Sequence, residues 1–96
     1  MATYIGLVKY TQQGIAAIKD SPKRLDDFKK LCEQHGAKVQ SFFLTMGRCD
    51  LVVVIEAPDD ATVAKVILKV SSGGNVSTET LRAFPEAEYR QIVASL

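Results

Sequence analysis

The run Leu51-Val52-Val53-Val54-Ile55-Glu56-Ala57 constrains this chain more than any other feature. β-branched residues favour extended backbone, and a strand sends successive side chains to opposite faces. A strand with one wet face therefore alternates apolar with polar residues. Here Leu51, Val53 and Ile55 fall on one side while Val52 and Val54, equally apolar, fall on the other. Two neighbouring segments behave alike. Ile5 and Leu7 oppose Tyr4, Val8 and Tyr10, and further on Val39 and Phe43 oppose Phe42, Leu44 and Met46. Such strands belong to a sheet covered on both faces, and 96 residues leave little chain to cover it with.

The order of elements follows from the punctuation. Tyr4 to Tyr10 reads as a first strand, broken by Thr11-Gln12-Gln13-Gly14, with a short helical turn expected over Ile15 to Lys19. Ser21-Pro22 then reads as an N-cap followed by proline at the first helical position, where a missing N–H costs nothing. Leu25, Phe28, Leu31, Cys32 and His35 fall at helical spacing, so a helix is predicted over 23–35, stopped by Gly36 in the left-handed position. Ala37 to Met46 and Leu51 to Ala57 are predicted strands joined by a connection short enough to force a hairpin. Val63, Val66, Ile67 and Val70 fit a helix over 61–71, despite the strand propensity of valine and isoleucine, and Gly73-Gly74 stops it. Asn75 to Phe84 reads as a fourth strand, and Pro85 opens a final helix with Tyr89, Ile92, Val93 and Leu96 on one face.

That order, βαββαβ plus a terminal helix, is the ferredoxin-like α+β layout: a four-stranded antiparallel sheet with both long helices on one face. Residues 1–96 are expected to form a single domain of this kind. Helices cover only one face. A second copy packing sheet to sheet is the expected cover of the other, giving a homodimer or higher homo-oligomer, with the terminal helix folding over a monomer's open face as the alternative.

Composition excludes several roles. A net charge of +1, from 12 Lys+Arg against 11 Asp+Glu, argues against a nucleic-acid binder. No stretch approaches the ~18 apolar residues of a membrane helix. Two cysteines in a chain that starts without a signal-peptide pattern suggest reduced thiols and a cytoplasmic setting. The third strand lacks the aromatic pattern of an RNA-stacking platform. Ser71-Ser72-Gly73-Gly74-Asn75 follows a helix instead of preceding one, the wrong way round for a phosphate cradle.

Four blocks in order carry a resemblance: Lys9 to Gly14, Lys19 to Arg24, Leu44 to Asp50, and Gly74 to Phe84. Together they resemble the GYD-domain family, whose Gly-Tyr-Asp signature appears here as Gly47, then Cys49-Asp50, with cysteine in the aromatic place. The resemblance implies the dimeric α+β barrel form of the ferredoxin-like fold and supplies no reaction. Wider relatives of that fold include cofactor-free monooxygenases, isomerases of small ring acids, haem-degrading enzymes and ligand-sensing domains, and a fold does not set a function.

The chemistry-bearing residues each have a plain structural reading. Cys32-x-x-His35 would need a third and fourth ligand from Cys49 or Asp50 to hold a metal; Cys32 reads instead as core and His35 as a helix-end residue, so no metal and no cofactor are expected. Cys49 has Arg48 beside it to lower its thiol pKa but no adjacent base, and reads as a tolerated surface residue. Asp50 reads as a turn residue bonding backbone amides, or as a carboxylate at a barrel mouth. Lys9, Glu56, Glu79 and Arg82 are charges on apolar strands, which must be paired if buried. They form either an ion-pair network across the sheet or dimer seam, or the polar lining of a cavity. In the latter, Lys9 and Arg82 would bind an anionic group and Glu79 would act on a proton. The candidate ligand-binding residues are therefore Lys9, Thr11, Cys49, Asp50, Glu79 and Arg82.

These features point to a small-molecule-binding or sensing module that self-associates through its sheet. Two alternatives stand beside it: a cofactor-independent monooxygenase- or isomerase-like enzyme acting on a small aromatic or acidic metabolite, and a purely structural oligomer.

Overall fold

The computed structural model describes residues 1–96. Strand β1 (Ala2–Tyr10) leads into a short helix α1 (Gln12–Ala16), a 3-10 turn (Ile18–Asp20) and helix α2 (Ser21–Gln34). Strands β2 (Lys38–Leu44) and β3 (Leu51–Ala57) follow, then helix α3 (Asp60–Ser71), strand β4 (Val76–Ala83) and helix α4 (Glu86–Ala94). The four strands form one sheet in the order β2-β3-β1-β4, every pairing antiparallel. This is the expected ferredoxin-like arrangement, with the first and third strands at the centre.

The register sorts the two faces. Tyr4, Gly6 and Val8 of β1 and Leu51, Val53, Ile55 and Ala57 of β3 are buried beneath α2 and α3, against Cys32, Val63 and Val66. The opposite face carries Ile5 and Leu7, Val52 and Val54, Phe43 of β2 and Leu81 of β4, with Lys9, Lys38, Glu56 and Glu79 interspersed. No element of the chain covers that face. The terminal helix does not fold across it: α4 has no buried residue and runs outward with Tyr89, Ile92 and Val93 about half exposed.

Local chemistry corrects several sequence expectations. The polar stretch after β1 starts a helix, because Thr11 accepts the Gly14 amide at 3.1 Å and so caps α1, three residues ahead of the turn expected from Ile15. Ser21 is already helical and caps nothing; Asp20 holds the N-cap position without a side-chain bond, and Pro22 sits in the first turn. The Ser21 hydroxyl bonds instead to the Tyr10 hydroxyl at 2.9 Å. In β2 a bulge between Val39 and Ser41 breaks the alternation expected there. Val39 then opposes Ile55 and Phe42 opposes Val53, so both lie on the helix side, while Phe43 turns to the open face. Gly36 has a positive φ of 74°, as a helix stop requires.

The shape is extended for the mass. A monomeric globular protein of 10.5 kDa exposes roughly 5,400 Å², whereas this chain exposes 6525 Å². Its radius of gyration of 14.3 Å likewise exceeds the roughly 12.5 Å expected for a compact chain of this length. The open sheet face and the projecting α4 both add to the exposed surface.

Candidate functional site

The helix-covered side holds the site. Helices α2 and α3 touch each other only sparingly, so the sheet beneath them is not sealed. A cleft of about 340 Å³ opens between them, at the small end of the range of ligand sites. Its floor is Gly6, Val8, Leu51 and Val53; its walls are Leu25, Phe28 and Leu31 from α2, and Ile67 and Val70 from α3. Gly6 keeps the floor low, since a Cβ there would stand 2.9 Å from a Val53 methyl. Both helices build this lining from the same apolar stripes that bury them.

One end of the cleft is polar. Tyr10, the last residue of β1, and Ser21, the first of α2, meet there through their hydroxyls, which have no other hydrogen-bond partner. Arg24 stands beside them, half-buried, donating to the Ala17 carbonyl at 3.0 Å and the Gly14 carbonyl at 3.3 Å. No carboxylate lies within 4.0 Å of it, as the chain's ion pair is Arg90–Glu86 on α4. Asn75 and Gly73 close this end from the turn before β4, and exposed Asp27 and Lys69 flank the cleft from the two helices.

The residues singled out from sequence do not gather in this cleft, nor in any one place. Lys9 and Glu79 share the open sheet face on adjacent strands, Lys9 opposite Ser77 and Glu79 opposite Leu7. Arg82 pairs with Tyr4 in the register and so lies on the other face, at its edge. There its guanidinium stacks over the Phe84 ring at 4.5 Å and the Tyr4 ring at 5.6 Å, and donates to the Thr3 carbonyl at 3.3 Å. Thr11 caps α1 and donates to the Gly74 carbonyl at 2.6 Å. Asp50 accepts the Tyr10 amide at 2.9 Å, the backbone-bonding reading of that residue. Cys49 is half-buried with its carbonyl bonded to the Thr45 hydroxyl at 2.8 Å. The ion-pair network expected among Lys9, Glu56, Glu79 and Arg82 does not form within the chain: none of them has a partner within 4.0 Å. Cys32 is fully buried, which pushes its thiol up to about 11. His35 is exposed at the end of α2, and no cluster of three or more His, Cys, Asp or Glu side chains is placed to hold a metal ion.

Tyr10, Ser21 and Arg24 are the site residues that sequence reasoning passed over. A signal for Arg24 was present: it precedes Phe28 and Leu31 by four and seven residues, which puts a guanidinium on the stripe that faces the core.

Sheet order, helix placement and cleft define the class: a ferredoxin-like α+β domain with a pocket between its helices and its sheet. Within that class the chain belongs to the GYD domain family, whose pattern spans residues 4–93. It is 36% identical over 89 residues to the glutamine synthetase and cystathionine beta-lyase binding protein of Thermus thermophilus, covering 92% of this chain and 94% of that protein. Among solved structures it is similar to a feast or famine regulatory protein of M. tuberculosis complexed with L-methionine (TM-score 0.66, 13% identity), covering 88% of this chain and 50% of that one. It is also similar to 5-chloro-2-hydroxyhydroquinone dehydrochlorinase of Burkholderia phenoliruptrix in complex with 2,5-dihydroxybenzoquinone. That match has a TM-score of 0.59 and 14% identity, over 88% of this chain and 94% of that one. At those identities the structures speak for the fold alone.

Proposed function

We propose that the protein is a small-molecule-binding module that works as a homodimer or higher homo-oligomer. The observation that carries the binding reading is the cleft between α2 and α3: about 340 Å³, apolar along its length and polar at one end. A hydrophobic groove with a few converging polar groups is the usual form of a ligand site. Association is supported by the uncovered apolar face of Ile5, Leu7, Phe43, Val52, Val54 and Leu81. The chain as a whole carries roughly 1,100 Å² of surplus surface, of the order of the ~800 Å² that each partner gives to a standard interface. With Cys32 and Cys49 both free thiols, a reducing cytoplasm suits the chain.

Two measurements test this reading. A thermal-shift screen of small metabolites compares the native chain with Val70→Trp, which fills the cleft; hits are expected to stabilise the native chain alone. If no compound distinguishes the two proteins, the binding reading fails. Native mass spectrometry is expected to show a multiple of 10.5 kDa, reduced to the monomer by Val54→Glu on the open face. A native chain that is monomeric at micromolar concentration removes the association.

The name of the Thermus thermophilus relative favours a second reading, in which the chain docks on enzymes. The exposed apolar side of α4, with Tyr89, Ile92 and Val93, suits such a contact. Deleting α4 would abolish enzyme docking in that case and leave cleft binding intact.

A further inference from the structure

We propose that the cleft takes a small monocarboxylate, its apolar or aromatic body lying between α2 and α3 and its carboxylate on Arg24 beside the Tyr10–Ser21 hydroxyl pair. The proposal rests on the reading of this cleft as the ligand site and names what it binds.

The charge of Arg24 is the first reason. A guanidinium always carries its proton and presents five donors. Two hydrogen bonds, to the Ala17 and Gly14 carbonyls, hold it in place, yet no carboxylate stands within 4.0 Å to neutralise it. A half-buried cation at the edge of an apolar groove is an anion site with its counter-charge missing, and a planar carboxylate matches the guanidinium fork. The anchoring by two backbone carbonyls also means that little conformational freedom is lost when an anion arrives.

The hydroxyls are the second. The Tyr10 and Ser21 hydroxyls share one hydrogen bond of 2.9 Å and make no other. Two hydroxyls bring two hydrogens, and one bond uses one of them, so a donor is left over at the same end of the cleft. An oxygen acceptor would satisfy it; an ammonium, which only donates, would not.

The balance of charge is the third. Arg24 and Lys69 against Asp27 leave the lining with one net positive charge, in a chain whose total is +1. The remaining lining is dominated by Leu25, Phe28, Leu31, Ile67, Val70 and the floor residues, which offer a long body no polar partner. A volume of about 340 Å³ lies near the lower end of the range of ligand sites, which suits a small ligand.

The test is an NMR titration of the full chain with three probes of equal length: octanoate, 1-octanol and octylamine. Octanoate is expected to bind at least about tenfold more tightly than octanol, the gain of one charge-assisted hydrogen bond, with octylamine weaker than both. Amide shifts are expected at Arg24, Phe28 and Val70. Arg24→Gln should remove the preference for octanoate over octanol. Because Arg24 also holds α1, Val70→Trp serves as the second variant: it keeps the guanidinium and should abolish binding of octanoate and octanol together. Equal affinity for octanoate and octanol, with shifts in the cleft, overturns the carboxylate and leaves the cleft reading standing. A preference for octanoate that survives Arg24→Gln overturns the assignment of Arg24. Absence of cleft shifts with every probe overturns both this proposal and the binding reading beneath it.

Discussion

The Asp50 carboxylate accepts a hydrogen bond from the Tyr10 amide at 2.9 Å, while the Asp50 amide donates to the Val8 carbonyl at 2.8 Å. One residue of the β2–β3 connection thus fastens the end of β1 twice, and Tyr10 is where β1 delivers its hydroxyl to the cleft. Asp50→Ala leaves the Tyr10 amide without this acceptor and is expected to cost about 1–3 kcal/mol by urea denaturation. Asp50→Asn, which still offers an oxygen, is expected to recover part of the loss.

Gly14 is required by contact. A Cβ at this position would meet the Asn75 carbonyl oxygen at 2.0 Å. Gly14→Ala must push α1 off the turn before β4, straining the Thr11 amide bond to Asn75 at 3.0 Å and the Thr11 hydroxyl bond to Gly74. A loss of about 1–3 kcal/mol is expected, as for other forced overpacking. Faster amide exchange at Thr11, with exchange at the β3 core amides unaltered below the global unfolding limit, would localise the effect to this junction.

Alkaline pH should weaken the fold through Tyr4. Its hydroxyl donates to the Asp60 carboxylate, and that bond, followed by burial, holds the phenol above its usual 10. The folded state then keeps a proton that the unfolded state releases near pH 10, so stability from this group is complete below that pH and falls above it. In Tm measurements from pH 8 to 11.5, Tyr4→Phe is expected to start lower and decline less steeply than the native chain. Parallel curves would remove Tyr4 from the alkaline transition.

Acid pH acts through Asp59, the N-cap of α3. Its carboxylate accepts the Thr62 amide at 2.9 Å and the Thr62 hydroxyl at 2.8 Å, and these bonds hold it below its usual 3.8. The contribution is present above that value and lost as pH falls through the folded one. Asp59→Ala should lower Tm by a few degrees at pH 7, and the gap to the native chain should narrow as pH falls below the usual 3.8.

The two thiols should differ sharply. Cys32 is fully buried and its thiol is pushed up to about 11 by burial, whereas Cys49 is half-exposed on the hairpin. At pH 8 a thiol reagent is expected to modify one cysteine per native chain, Cys49, and both after denaturation. Rapid labelling of Cys32 in the native protein would show that the core opens around α2.

Much of the fold was legible because its signals are local. The bounds of β3, the apolar stripes of α2 and α3 and the stop at Gly36 all follow from periodicity and backbone preference. The bulge at Val39–Ser41 was not, since two residues opposing one depends on the partner strand and leaves no mark in β2 itself. The same holds for Ser21, which looks like a cap beside Pro22 but is claimed by Tyr10 from another element. Lys9, Glu79 and Arg82 drew notice as charges on strands, yet the register places them on two faces.

The sequence by itself determined that the central strands are apolar on both sides, because alternation and its failure in β1 and β3 are properties of single strands. That α4 leaves one face open was decided by the tertiary structure. Only the tertiary structure, too, decided where a ligand could go. The cleft exists because α2 and α3 are held apart over the floor at Gly6, and its polar end because Tyr10, Ser21 and Arg24 converge from β1 and α2 beside the turn before β4. A gap between packed elements depends on the distance and angle between them, which no local preference encodes.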